Sequence, residues 1–287
     1  MPALIKAASI AEAFIAACQA ELSSLKPGNV HDFADGHRMD TAMFAASAAA
    51  AAPFIAKPEL SVGARIEAAV SASVAAAGCN TNLGIILLCA PLACAAQVGE
   101  GPLRVHIDDI LDRLTVADAQ AVYRAINIAK PAGLGTATAH DVNEVPKVTL
   151  LEAMTAARDH DRIANAYAND FADIFDFALP ALTTARLSAT SPDRAITTLH
   201  MCLLDQFPDT HIARKYGPDI AHEVQIEAHR LRPLYLPALN EEGFARLLNF
   251  DADLKQRGLN PGTTADFVVA TLFADQLLTR NRTAKSS

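Results

Sequence analysis

The chain of 287 residues contains no tryptophan, and aromatic residues make up only 6% of it. Its apolar content of 51% is therefore carried by small aliphatic side chains, alanine above all. Alanine favours helix and lets neighbouring helices approach closely. None of the five cysteines, Cys18, Cys79, Cys89, Cys94 and Cys202, forms a CxxC pair. That excludes the common zinc and dithiol spacings, and the odd count among apolar neighbours points to reduced, buried thiols in a cytoplasmic protein. There is no excess of positive charge either. A net charge of −8 excludes a general nucleic-acid binder while leaving room for a locally basic pocket. No apolar run reaches the ~20 residues a membrane span needs. The uncharged stretches 41–56 and 80–98 are alanine-rich and interrupted by Pro53 and Pro91. Near the N-terminus, Glu12 breaks the run a signal peptide would require.

Strand-like alternation is missing beyond about five residues. In its place the sequence offers helix after helix with short Pro/Gly connections. Apolar spacing predicts helices over residues 9–25, 41–52, 65–77, 85–98, 118–129, 149–158, 163–179, 195–204, 220–231, 241–256 and 267–278. Pro91 is expected to kink or end the fourth of these. Asp170 and Asp173 read as a solvated face. Glu21, in the last turn of the first helix, reads either as solvated or as a weak functional candidate. The expectation is an all-α chain, a single domain over 1–278 built as a multi-helix bundle, with a frayed tail from 279.

Polar residues gather where helices begin. In Gly78-Cys79-Asn80-Thr81-Asn82-Leu83-Gly84 a glycine closes one helix and Asn or Thr opens the next, where free N–H groups favour an anion. The plain alternative is an N-cap alone. Lys26-Pro27-Gly28-Asn29 turns the chain into a segment holding His31, Asp32, Asp35, His37, Arg38 and Asp40. That mixture of carboxylate, imidazole and cation suits a cation site or a phosphate-and-base cluster, with Asp40 equally able to cap the next helix. Asp205 and Asp209 stand beside Arg214 and Lys215, so the acids could hold Mg²⁺ while the cations meet phosphate. Asp209 could also simply cap a helix. Gly262-Thr263-Thr264-Ala265-Asp266 opens the last helix. Its Thr263–Asp266 spacing is that of a capping box, and the same start could bind phosphate.

Three of these stretches, in order, resemble the motifs of the triphosphoribosyl-dephospho-CoA synthase family. They are Lys26-Pro27-Gly28-Asn29-Val30, Gly78–Gly84 and Gly262-Thr263-Thr264-Ala265-Asp266, and the likeness runs from about Glu21 to Leu278. Gly36-His37-Arg38-Met39-Asp40 resembles a further family segment with its last two residues exchanged. The resemblance implies transfer of the triphosphoribosyl group of ATP to a ribose hydroxyl of dephospho-CoA, with loss of adenine. It implies Lys26, Asn29, Arg214, Lys215, Thr263 and Thr264 around phosphate, Asn80, Thr81 and Asn82 orienting substrate, and Asp266 on a ribose hydroxyl or second cation. Asp40 and Asp209 are expected to hold Mg²⁺, with Asp35 or His37 as base. If the loops 26–40, 80–84, 205–215 and 260–266 converge, they form one cleft.

Two departures stand out. Asn82 and Leu83 occupy the places of the family's His and Lys, and Thr136-Ala137-Thr138-Ala139-His140-Asp141 stands where an Arg- and Glu-containing glycine segment belongs. Dephospho-CoA is therefore expected to be a poor acceptor. Two alternatives are kept: an enzyme of another cofactor's biosynthesis, such as a one-carbon carrier, acting on a phosphorylated or nucleotide substrate, or a non-catalytic nucleotide-binding subunit. Expected partners are small molecules, with neither nucleic acid nor membrane, and homo-oligomerisation is left open.

Overall fold

The structure is a computed structural model, and it describes residues 6–32, 41–99, 101–131 and 142–285. Among the described residues there are fifteen α-helices, a short π-helical segment at Asp173–Ala178, and no strand. The fold is all-α, as the alanine-rich periodicity implies. No helix among the described residues is long and apolar enough to cross a membrane.

The helices group into two compact units, neither continuous in sequence. The first comprises Met1–Ala17, Met43–Asp173 and Leu272–Ser287. Its centre is the Leu83–Ala96 helix, in which twelve of 14 residues are buried. A helix apolar on every side is a core helix in a protein of this kind. It packs on Leu103–Asp112 and on Val62–Ala77, and the latter packs in turn on Val116–Ala129. Gly78 closes Val62–Ala77 in the left-handed conformation, φ 74°, donating its N–H to the Val74 carbonyl. That is the stop the sequence announces. Thr115 and Asp118 form a reciprocal capping box at the start of Val116–Ala129.

Pro91 does not end its helix. A proline at this position removes the N–H that would reach the carbonyl four residues back, on Leu87. The buried Tyr167 hydroxyl donates to that carbonyl at 2.7 Å, supplying the missing partner.

The second unit comprises Cys18–Ala42 and Ile174–Thr271. Its core gathers Leu25, Met201, Leu204, Tyr235, Leu247 and Leu254 from helices Pro192–Gln206, Arg232–Tyr235 and Glu241–Gln256 and the loop after the first helix. Full burial of each such side chain contributes about 1.5–3 kcal/mol.

Three local expectations change. The stretch 163–179 is interrupted, with helix Arg162–Ala168 ending before Asp170 and Phe171, both at positive φ, and a new helix starting at Leu179. Asp173 is not solvated. It is 7% exposed and pairs with Arg162 Nη2 at 2.7 Å. The final helix runs from Gly262 to Lys285, into the stretch read as a tail, and Arg280 donates to Ser9 Oγ at 2.6 Å.

Candidate active site

In the second unit the Lys26–His31 turn is built around a buried ammonium. Lys26 is wholly buried, and its Nζ donates to the carbonyls of Glu21 at 2.7 Å and Val30 at 2.8 Å. The same atom lies 3.1 Å from Glu21 Oε1. A lysine ammonium has three protons, and these partners account for them. Burial pushes the Glu21 carboxyl up and the Lys26 ammonium down, and each restrains the other's shift by its charge. Glu21 is therefore an interior partner, 5% exposed, and not a solvated surface acid.

Gly28 follows with φ 83°, and a Cβ there would meet Pro261 Cδ at 2.7 Å and the Leu259 carbonyl at 2.8 Å. Only glycine allows both that conformation and that approach. Its N–H donates to Asp251 Oδ1 at 2.8 Å, while Asn29 Nδ2 donates to Asn260 Oδ1 at 2.7 Å. The first motif is thus fastened to the stretch that precedes the third.

Asp251 also meets His31 Nε2 at 3.2 Å and Lys255 Nζ at 3.0 Å. Burial raises the Asp251 carboxyl, yet hydrogen bonds from His31 and the Gly28 N–H outweigh it and hold the group below its ordinary range. Desolvation lowers His31, with Asp251 opposing. His200, wholly buried nearby, is pushed down to about 3, by desolvation first and the Lys26 charge second. Sequence reasoning passed over Asp251. The signal was present, since Asp251 lies in phase with the apolar stripe Leu247, Phe250 and Leu254 and carries Lys255 one turn on.

Asp209, 2% exposed, joins two helix starts. Its Oδ1 accepts the Ile212 N–H at 3.0 Å, capping Thr210–Tyr216. Its Oδ2 accepts both the N–H and the hydroxyl of Thr264 at 2.8 Å, within the first turn of Gly262–Lys285. Thr210 Oγ1 donates to Thr263 Oγ1 at 3.2 Å alongside. That helix begins at Gly262, so Thr263 lies inside it and the expected Thr263–Asp266 capping box gives way to a cap supplied by Asp209. Burial raises the Asp209 carboxyl, and the Thr264 and Ile212 hydrogen bonds and the Arg214 charge oppose it. Arg214 and Lys215 occupy the last turn of Thr210–Tyr216, and Lys215 is exposed, its Nζ 5.6 Å above the Tyr216 ring. Asp266 is half-buried.

Three of the four expected loops therefore meet within the second unit. The fourth belongs to the first unit. There Asn80 Oδ1 accepts the Leu83 N–H at 3.1 Å, and Thr81 Oγ1 donates to Ser47 Oγ at 2.7 Å. The Ser73 hydroxyl donates to Asn82 Oδ1 at 2.5 Å, and Asn82 Nδ2 is buried with no acceptor among the described residues. Exchanging the two amide atoms would only move the deficit to the oxygen. Leu83 is 8% exposed. Asp35, His37 and Asp40, together with the 136–141 segment, lie outside the described residues.

The model of the ATP:dephospho-CoA triphosphoribosyl transferase (CitG) family matches residues 7–284. The chain belongs to this family. It is accordingly a transferase of the triphosphoribosyl-dephospho-CoA synthase type, with ATP as substrate. A crystal structure from Archaeoglobus fulgidus, provisionally assigned as a triphosphoribosyl-dephospho-CoA synthase, superposes with a TM-score of 0.62 at 23% identity. The match covers 80% of this chain and 96% of that one. At that identity it establishes the shared fold alone. No curated protein matches.

The family's use of ATP raises the question of Mg²⁺. Among the described residues no group of three or more His, Cys, Asp or Glu side chains could hold a metal ion. Asp209, one of the two expected ligands, has both oxygens engaged by N–H and O–H donors. Asp40, the other expected ligand, lies outside the described residues.

Proposed function

We propose that this chain transfers the triphosphoribosyl group of ATP to the hydroxyl of an acceptor other than dephospho-CoA. In that step the bond from ribose C1′ to adenine N9 breaks and the acceptor oxygen bonds to C1′. The hydroxyl proton passes to a base, and adenine leaves with a proton of its own. The transition state is oxocarbenium-like, so catalysis rests on a fixed triphosphate and well-placed proton carriers.

The observation that carries the change of acceptor is Leu83, an apolar side chain 8% exposed where the family motif has lysine. A lost charged hydrogen bond to phosphate is worth ~1.5–3 kcal/mol, or about one to two orders of magnitude in binding.

Arg214 and Lys215 are the cations we assign to the triphosphate. Lys26 and Asp209, whose side-chain donors and acceptors are engaged within the loops, hold those loops in place, and Asn29 and Thr264 each tie one loop to the next. The Asn82 amide nitrogen, buried and unpaired among the described residues, is assigned to a ligand oxygen in the first unit. Asp35 or His37 is assigned the acceptor proton. Mg²⁺ enters with the phosphates of ATP, as such ions usually do, with Asp40 as a protein carboxylate. Calorimetric titration with MgATP tests the phosphate assignment. The Arg214→Ala/Lys215→Ala variant should bind at least about tenfold more weakly, and unchanged affinity would remove both cations from the site.

A further inference from the structure

The protein is acidic overall, yet one cleft of the second unit is not. It lies between the end of helix Pro218–Arg230 and the middle of Glu241–Gln256, with a volume of about 420 Å³. Two carboxylates line it, Glu227 and Asp253, and both are already taken. Arg257 Nη1 lies 2.9 Å from Glu227 Oε2 and 2.8 Å from Asp253 Oδ2. The cleft's other two charges are Arg230 and Arg246, both exposed, and neither has a carboxylate partner among the described residues. The lining itself balances two arginines against two carboxylates, and Arg257 beside it, paired with both acids, adds the one positive charge that tips the local sum, on a chain of net charge −8.

The rest of the lining is Leu231, Phe250 and Asn249. A concave surface with an apolar floor and a few convergent polar groups is the usual make-up of a small-molecule site, and such sites run from about 300 to 1,000 Å³. A bare phosphate would leave most of this volume empty, so the ligand needs an organic body. Planar guanidinium groups match phosphate geometry, and two of them unpaired at one cleft favour a doubly charged anion. Residues 246, 249, 250 and 253 face the cleft, whereas Asp251 and Lys255 of the same helix meet His31. The cleft is thus distinct from the loops assigned to transfer.

We propose that this cleft is a second ligand site, taking a phosphomonoester whose apolar or aromatic body lies over Leu231 and Phe250 while Arg230 and Arg246 hold the phosphate. The test is calorimetry at low salt with phenyl phosphate, which combines the two features and lacks a nucleoside. Inorganic phosphate and phenol serve as half-probes. Binding of phenyl phosphate should be saturable at one site and tighter than either half-probe. It should weaken at least about tenfold, ~1.4 kcal/mol, in Arg230→Ala/Arg246→Ala. Both arginines are exposed, so the variant should keep its helical circular dichroism and its affinity for MgATP. Glu227→Gln, which removes a competing carboxylate, should tighten binding. No binding at millimolar concentration, or equal binding by wild type and the double variant, would overturn the proposal. Inorganic phosphate binding as tightly as phenyl phosphate would overturn the organic ligand.

Discussion

The Asp209 carboxylate and the first turn that carries Thr264 are joined by two hydrogen bonds of 2.8 Å, one to the backbone N–H and one to the hydroxyl. The same carboxylate caps its own helix through Ile212. One buried acid therefore fixes the relation of the stretch 205–215 to the Gly262-Thr263-Thr264 start of the last helix. Losing a cap costs about 0.5–2 kcal/mol, and Asp209 serves two. Asp209→Ala should lower stability by ~1–4 kcal/mol, measured by urea unfolding. An Asp209→Ala protein as stable as wild type would show that the carboxylate is not a structural clamp.

Lys26 is expected to behave as an interior group. Removing one member of a buried ion pair costs about 3–5 kcal/mol because the other is left uncompensated. Lys26→Met should therefore be strongly destabilised, and Glu21→Gln/Lys26→Met should recover part of the loss. A Lys26→Met protein of normal stability that had lost MgATP affinity would instead place the ammonium on phosphate.

How much of this was legible in the sequence depends on what each residue's neighbours are. Helix and turn positions follow largely from local patterns, so Gly78 as a stop needs no tertiary information, whereas the helix read from Asp118 starts at Val116 behind a Thr115–Asp118 capping box that sequence reasoning passed over. The interruption at Asp170 and Phe171 breaks a continuous apolar pattern and has no local signal. The motif stretches around Lys26, Asp209 and Thr264 were visible, and three of them do meet. Their individual roles were not, because burial decides them. An ammonium at the end of a helix reads as a phosphate ligand until Glu21 and Val30 are found to take its protons. Asp209 reads as either a helix cap or a metal ligand; the cap is present through Ile212, and the contact of its second oxygen with Thr264, 55 residues away, has no local signal. Pro91 likewise reads as a kink or an end, because Tyr167, which serves the Leu87 carbonyl, is distant in sequence.

That last contact makes a separate prediction. Tyr167→Phe leaves the Leu87 carbonyl buried without a donor, at a cost of about 1–3 kcal/mol. In a Pro91→Ala background the restored N–H can reach the carbonyl, so the same substitution should cost clearly less. Equal costs in the two backgrounds, measured by denaturant titration, would show that the hydroxyl does not replace the missing N–H.

Acid should destabilise the second unit through His200. Its folded value of about 3 lies below the ordinary 6.5, so the unfolded chain binds more protons between those limits. Stability from this group is complete above about 6.5 and is lost as pH falls toward 3, with a slope of up to ~1.4 kcal/mol per pH unit. Comparing wild type with His200→Gln isolates this group from Glu21 and Asp209, whose raised values act in the opposite direction. Parallel stability curves for the two proteins between pH 6.5 and 4 would show that His200 is protonated in the folded state.

The central claim is an intact ATP chemistry with a changed acceptor. Purified protein is incubated with MgATP and dephospho-CoA, and adenine is followed by chromatography, with calorimetry confirming that MgATP binds. The account predicts bound ATP but adenine release far below ordinary enzymatic rates, raised by Asn82→His/Leu83→Lys if the buried turn accepts the longer side chains. Wild-type turnover with dephospho-CoA at about 1 s⁻¹ or more would contradict it.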